Sequence, residues 1–447
     1  MGQRAKILAQ ILGMEGWRVR GAHLEDENGS PIVAVRGFEA SPGALLVLVV
    51  ERRWTARCST CDGLGSRLHE RLPPRRWRDL SWAGHPVVIE YSPVRIKCRR
   101  CDGHRVEHLP WASPLQRQTR RLQHHLAIEA ASMPVMHVAA LNGLSWGTVR
   151  RAEEAALARW NATREASPLR DVGVDEKWLG RRHKLDYDFV TIVSNLETGE
   201  PLWIGPGRSA ASLAAWLATL TSPQKAAIRL FAMDMHDAFR NAVRADPELA
   251  HAAIVHDPFH VMKRAGEAVD EMRREVFFRA GSNLRRIGRG SRWLLLRAWE
   301  RCTEDEKARL DFLLSYNPLL GRTYQIKEEF RDVLHAPDRA SMELGFARIL
   351  RRTQARKHVP LRKLHDSLVE HRERILALAD YHPATGRIEA LNNNWETLVR
   401  RARGYRDYAY LLLKLRFMTA NPIRSDRGVA RFLALGLPTP PPLRKAA

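Results

Sequence analysis

The sequence predicts a multidomain chain: a small cysteine-bearing β segment and a helical segment come first, followed by an α/β domain that a mostly helical insertion interrupts. Three observations lead there. Two Cys-x-x-Cys pairs, Cys58/Cys61 and Cys98/Cys101, each run into Asp-Gly. Between residues 169 and 265, β-branched runs alternate with helical patterns, and several of those runs end in an aspartate. From 266 to 384, apolar residues recur at three- and four-residue spacing.

Composition narrows the partners. The 447 residues carry 73 Lys plus Arg against 50 Asp plus Glu, a formal charge of +23. A field of that sign calls for a polyanion, nucleic acid before a membrane surface. The apolar run Ala44 to Val50 is too short to span a bilayer and meets Glu-Arg-Arg at once, and no signal peptide is evident. The expected location is therefore cytoplasmic and nucleoid-associated, where five cysteines are not a disulfide framework.

Residues 1–50 read as a β-rich lead-in, its short apolar runs broken at Asp26–Ser30 and at Ser41–Gly43. Residues 51–112 read as a zinc ribbon. Two thiolates separated by two residues can clasp one metal from a tight knuckle, and two knuckles complete the tetrahedral set Cys58, Cys61, Cys98 and Cys101 around Zn²⁺. Strands at 76–80, 86–91 and 94–97 are expected to bring the knuckles together. Four free core or redox thiols are the alternative, and the repeated spacing argues against it. With four sulfurs in place, His69, His85, His104 and His108 are expected at the surface, and Cys302 as a small half-buried side chain in a helix.

Residues 113–168 read as a helical DNA-binding region. Ser113-Pro114 supplies an N-cap and first helical position for a helix through Ala131. A short helix from Met133 to Ala140, a turn at Leu141–Leu144 and a helix capped by Ser145 then describe a helix-turn-helix. Its second helix would carry Trp146, Thr148, Arg150 and Arg151 toward DNA. An ordinary helical hairpin with solvated arginines is the competing description, and residues 160–168 read as a linker.

Residues 169–265 are expected to begin the α/β core. Arg170 to Trp178 alternates as a strand with Asp175 near its end, Val172 and Val174 on one face and Gly173 allowing close approach. Alternation directs Glu176 away from Asp175. Tyr187–Leu196 and Pro201–Ile204 continue an antiparallel sheet, Ser209 caps a helix, and Ala226–Met233 forms a strand ending at Asp234. A helix over 238–243 and a strand over 251–256, ending at Asp257, complete a β-β-β-α-β-α-β order, that of a ribonuclease-H-like domain. The first and fourth strands are neighbours there, so Asp175 and Asp234 would share a divalent cation, Mg²⁺ or Mn²⁺. Each aspartate also has an ordinary structural explanation: Asp175 as a surface carboxylate beside a turn, Asp234 as a helix cap, Asp257 as an Asx turn. His236, His256 and His260 have no assignable role.

The insertion at 266–384 places Arg285, Arg286, Arg351, Arg352, Arg356 and Lys357 on polar helix faces, either solvated or against DNA. Residues 385–437 return to the core. Ile388, Leu391, Trp395 and Leu398 form an apolar stripe, and Glu389, Asn393 and Glu396 a polar one, so a first-turn Glu389 could complete the metal site. Asn392, Asn393 and Asn394 are poor helix formers, and Asn392 and Asn393, with Arg400, Arg401 and Arg403, are expected to hold DNA phosphates. Residues 438–447 are Pro-rich and expected to be disordered.

Over nearly its whole length the chain resembles the ISL3 family of insertion-sequence transposases. The resemblance rests on the cysteine quartet, the helix-turn-helix, Val172–Glu176, Met233–Met235, Asp257–His260 and, most specifically, Thr385–Tyr408. It implies a DDE transposase with the acidic triad Asp175, Asp234 and Glu389 holding two Mg²⁺ or Mn²⁺ ions for hydrolytic cleavage and strand transfer. It also implies terminal inverted repeats and target DNA as partners, and a homodimer or larger assembly on DNA. One departure is Pro258, where the family usually carries Arg or Lys. A non-catalytic DNA-binding regulator and a general metal-dependent nuclease are the alternatives.

Overall fold

The computed structural model describes residues 16–32, 44–53, 55–63, 67–165, 167–179, 189–278, 282–354, 357–402 and 405–434. Arg403, Arg356, the turn at 41–43 and the tail at 438–447 lie outside them. The chain divides into two compact units: 1–165 with 400–403 and 416–447, and 166–399 with 404–415.

Among the described residues, the first unit holds two sheets. Its strands are β1 (Trp17–Glu25), β2 (Pro31–Ile32), β3 (Leu45–Arg52), β4 (Arg67–Arg71), β5 (Arg75–Trp82), β6 (His85–Tyr91), β7 (Val94–Cys98) and β8 (Gly103–Val106). One sheet runs β2-β1-β3-β6-β5 and the other β4-β7-β8. The expected division at residue 50 is thereby corrected. The strands at 75–82 and 85–91 do not join the knuckles but pair with the lead-in, and only the strand at 94–98 belongs to the cysteine-bearing sheet. Aromatic packing explains the exchange: Trp111 meets Trp17 at 5.4 Å and Trp77 at 5.0 Å, edge to face, so β5 closes over β1.

Three helices follow: α1 (Arg120–Ser132), α2 (Val135–Leu141) and α3 (Trp146–Ala162). The helix expected from Ser113 starts only after Thr119, whose side chain accepts from the Leu122 amide. Leu115 takes φ 61° and is exposed, which breaks the expected helix. The segment before α1 instead lies along β5: Arg78 donates its amide to Arg117, Thr119 returns one to Arg78, and the Thr119 hydroxyl donates to buried Asp79 at 2.6 Å. Leu122, Leu126, Val138, Val149 and Ala152 close the three-helix core. α3 extends to Ala162, shortening the expected linker.

The second unit is built on β9 (Asp171–Trp178), β10 (Phe189–Asn195), β11 (Pro201–Pro206), α4 (Ala210–Leu217), α5 (Ser222–Ala227), β12 (Leu230–Met233), α6 (Asp237–Arg244) and β13 (Ala253–His256). The strand expected over 226–233 starts at Leu230, because a Thr221/Gln224 capping box and a proline in the first turn commit the preceding residues to α5. The sheet order is β11-β10-β9-β12-β13. β9, β10 and β11 are antiparallel, while β12 runs parallel to β9 with Met233 opposite Val174. This mixed sheet agrees with the ribonuclease-H-like expectation. Val172 and Val174 enter a core with Leu213, Phe231 and Phe239, leaving Asp175 on the other face.

From β13 the chain continues through α7 (Pro258–Phe278), α8 (Ser282–Gly288), α9 (Arg292–Leu296), α10 (Glu304–Tyr316), α11 (Pro318–Leu334), α12 (Arg339–Thr353), α13 (Val359–Glu370) and α14 (Arg372–Tyr381). This is the helical insertion. The single helix expected over 363–379 breaks at His371. α15 (Gly386–Ala402) buries Ile388, Leu391, Trp395 and Leu398, the predicted stripe. After it come α16 (Tyr408–Ala420) and α17 (Asp426–Ala434). Residues 416–447 group with the first unit, which corrects the assignment of 385–437 as a whole to the core. There Phe432 lends its carbonyl to buried His124 at 2.8 Å and stacks near Phe417 at 5.1 Å.

Candidate catalytic site and cysteine cluster

Asp175 lies on β9, and Asp234 follows β12 directly. Because those strands are hydrogen-bonded neighbours with Met233 level with Val174, the two carboxylates stand at one level of the sheet. Asp257 joins them from the end of the next strand, its amide donating to the Met233 carbonyl at 2.9 Å. All three surround the ring of His260: Nδ1 is 3.3 Å from Asp234 Oδ1, and Nε2 is 3.8 Å from Asp175 Oδ1 and 3.9 Å from Asp257 Oδ2. Burial, with the nearby charges of Asp175 and Asp234, pushes the Asp257 carboxyl up from its ordinary value.

Asp257 makes the Asx turn expected of it. Its Oδ1 accepts from the Phe259 amide at 3.0 Å, capping α7, while Oδ2 faces His260. That cap also accommodates the Pro258 departure, since a proline in the first turn of α7 lacks only an amide that a helix start leaves unpaired. His260 is brought to the site because it sits one turn into α7. The motif Asp-x-x-His was visible in the sequence, but only the strand order shows which carboxylates the imidazole meets.

Asp175 is held from several sides. Its Oδ1 accepts from the Glu176 amide at 2.8 Å, its Oδ2 accepts from Asn392 Nδ2 at 2.8 Å, and Lys177 Nζ lies 3.5 Å from Oδ2. Glu176 turns to the other face as alternation requires, and Arg208 donates to it at 3.3 Å. Asn392, expected to grip phosphate, thus spends an amide on Asp175. Glu389 lies one turn earlier on α15 and is exposed, as is Asn393. Its carboxylate does not close on the aspartates: among the described residues, the group of potential ligand atoms lying within 4.8 Å of one another is the cysteine quartet. The carboxylate oxygens of Asp175, Asp234 and Asp257 are hard donors of the kind that suits Mg²⁺ or Mn²⁺.

Behind Asp257, β13 ends in buried His256. Arg374 of α14 donates Nε to His256 Nε2 and Nη2 to His371 Nδ1, both at 3.0 Å. Burial drives the His256 pKa down to about 3, so the ring is neutral and accepts at Nε2. This contact fastens the last insertion helix to the strand that carries Asp257.

The cysteine cluster forms where β7 meets the Cys58 knuckle. The sulfurs of Cys58, Cys61, Cys98 and Cys101 lie within 4.8 Å of one another, and Cys61 Sγ is 3.6 Å from Cys98 Sγ. A tetrahedral Zn²⁺ with ordinary Zn–S bonds spaces its sulfurs by about 3.8 Å, so the quartet fits that ion. Backbone amides of Cys101 and Arg100 aim at Cys98 and lower its thiol pKa. Asp62 and Asp102 adopt φ 53° and 40°, turning the chain under the sulfurs. His85 bonds the Ala44 carbonyl at 3.0 Å and His108 the Asp62 carboxylate at 3.2 Å.

On α3, Trp146 is half exposed and Arg151 exposed, while Arg150 stacks 6.0 Å over Trp146 and pairs with Glu154 at 3.7 Å. The Thr148 amide and hydroxyl serve the Ser145 cap. Arg400 is exposed, and Arg401 donates to the Ala131 carbonyl at 3.1 Å. Among the described residues, no helix is long and apolar enough to cross a membrane.

Two family models match this chain, one over the acidic site and one over the helices around α3. A transposase family model, the DDE domain of ISL3, matches residues 172–415. A second, the helix-turn-helix domain of transposase family ISL3, matches residues 107–155. The chain is 30% identical over 381 residues to the transposase for insertion sequence element IS1001 of Bordetella parapertussis, covering 84% of this chain and 92% of that one. It is 27% identical over 399 residues to the transposase for insertion sequence element IS1557 of two Mycobacterium tuberculosis strains, covering 82% of this chain and 87% of theirs.

Proposed function

This chain belongs to the ISL3 family of transposases, and on that premise we propose that it binds the terminal inverted repeats of an insertion sequence, cuts them and joins them to target DNA. The observation that carries the reading is the convergence of Asp175, Asp234 and Asp257 on adjacent strand ends, beneath the helix that bears Glu389 and Asn392. Asp175, Asp234 and Glu389 are the residues to hold Mg²⁺ or Mn²⁺. The bound ions would supply Lewis acidity to phosphoryl transfer on DNA.

The chain's own side chains do the rest. Asn392 donates to Asp175 Oδ2 and so fixes the orientation of the carboxylate. Lys177 adds positive charge 3.5 Å from Asp175, where a phosphate would approach. Asp257 anchors α7 and so sets His260 among the carboxylates. The cysteine quartet would hold a structural Zn²⁺, and the helix-turn-helix would read the ends through Trp146, Arg150 and Arg151. Asn393, Arg400, Arg401 and Arg403 are the proposed phosphate contacts. Pairing two ends calls for two copies of the chain, acting on DNA in the cytoplasm.

A joining assay tests the proposal: the full chain, duplexes carrying the ends that flank its gene, a supercoiled plasmid and Mn²⁺. Joined products that require those ends support it. Cutting of unrelated DNA without joining points to a general nuclease, and end binding without cutting points to a regulator.

A further inference from the structure

We propose that Phe259 positions the substrate: its ring receives a base turned out of the DNA beside the phosphate that is cut. That DNA is the substrate rests on the reading above; the turned-out base rests on where this ring stands. Phe259 is 61% exposed, whereas Asp175 and Asp257 are each 6% exposed. A large apolar ring therefore stands clear of carboxylates that are themselves recessed.

The ring is close to those carboxylates and its backbone is fixed. Asp257 Oδ1 accepts from the Phe259 amide at 3.0 Å. The ring lies 5.7 Å from the His260 ring, nearly perpendicular at 88°. The His260 nitrogens are in turn 3.3 Å from Asp234, 3.8 Å from Asp175 and 3.9 Å from Asp257. Phe259 thus lies within about 11 Å of all three carboxylates, roughly the rise of three nucleotides. Val261 and Ala265 take the inward face of α7, and Lys263, one turn after Phe259, is exposed on the same outward face. The next acidic side chain along the helix, Glu267, is paired with Arg264 at 3.2 Å.

Location, not local charge, selects the occupant. A strand that brings a phosphate down to the recessed carboxylates has to pass the ring. A straight duplex offers the ring only sugar and phosphate, because its base faces cover one another. A nucleotide whose base leaves the stack gives the ring a π-face and lets its backbone bend into the recess. Lys263 adds positive charge for the phosphate of that nucleotide. Turning the base out of a pair costs free energy that stacking on the ring offsets, so a base unpaired in advance should need the ring less.

The test uses the full chain and a duplex carrying an element end, with 2-aminopurine in place of the base beside the phosphate that the parent cuts. With Ca²⁺ replacing Mn²⁺, binding by the parent should raise the 2-aminopurine emission about threefold or more, as a base leaving the stack does. Phe259→Ala should lose most of that rise while its duplex binding, read by anisotropy, changes by less than about twofold. In Mn²⁺ the same variant should cut the paired end roughly fivefold or more slowly, and a mismatch at that base should narrow the loss to about twofold. Phe259→Tyr should cut the paired end close to the parent's rate. An equal emission rise in Phe259→Ala and the parent overturns the proposal, as does an equal loss of cutting on paired and mismatched ends. Loss of self-association in sedimentation with the emission rise kept also overturns it, in favour of a protein interface. A parent that cuts the end without raising the emission overturns this proposal alone, whereas a parent that does not cut it overturns the reading of the site as well.

Discussion

Asn392 was legible in the sequence only as an asparagine out of place in a helix, and phosphate binding was the natural expectation. Its amide instead donates to Asp175. No residue pattern could reveal this, because the bond joins positions 217 residues apart and depends on α15 lying over β9. Asn392→Ala should therefore reduce DNA cleavage by about 10- to 100-fold and raise the Mn²⁺ concentration needed, with duplex binding unchanged; a titration of cleavage against Mn²⁺ checks both. His256 makes a second residue-scale prediction. Its pKa falls to about 3 in the folded chain against an ordinary value near 6.5, so the unfolded chain takes up a proton first as the pH drops. Stability is full above about pH 6.5 and drains away down to about pH 3, a loss of roughly 2 kcal/mol by pH 5. His124, lowered by burial to about 4, acts in the same direction in the first unit. The urea midpoint of the second unit should fall less between pH 7 and pH 5 in His256→Gln than in the parent.

Elements were legible where one local signal dominated. β9 and the Ser145-capped α3 stand where alternation and capping place them. The helix expected from Ser113 failed because a tertiary contact won: the chain from Ser113 to Thr119 gains more from the β5 edge and Asp79 than from a helical turn. The ribbon was over-drawn for a related reason, since strands at 76–80 and 86–91 are the right type but pair by aromatic packing elsewhere. Gly173 shows how tightly β9 is used: a Cβ there would lie 2.7 Å from Ser194 Oγ and 2.8 Å from Leu196 Cδ2. Gly173→Ala should cost about 1–3 kcal/mol, measured by denaturant unfolding. The cysteine sheet carries its own prediction. Elemental analysis should find about one zinc per chain, and Cys98→Ser should lose it together with stability in the first unit, because metal binding there is folding energy.

At the scale of the whole molecule, a cysteine-bearing sheet and the helix-turn-helix fall in one compact unit, and an α/β sheet with its helical insertion in the other. The return of residues 416–447 to the first unit was not legible, because an apolar helix such as α16 announces burial without saying which core receives it. The acidic residues were found from strand ends, and the partners that surround them came from topology: Asp257 and His260 through parallel β12 and β13, Asn392 through the helix that follows the insertion. The central claim is that this convergence cuts DNA, and the direct measurement is cleavage of a labelled element end in Mg²⁺ or Mn²⁺ by the parent and by Asp175→Asn, with duplex binding measured beside it. Metal-dependent cutting by the parent, and its loss in a variant that binds duplex as the parent does, is the predicted result. Cutting by Asp175→Asn at the parent's rate would contradict the account.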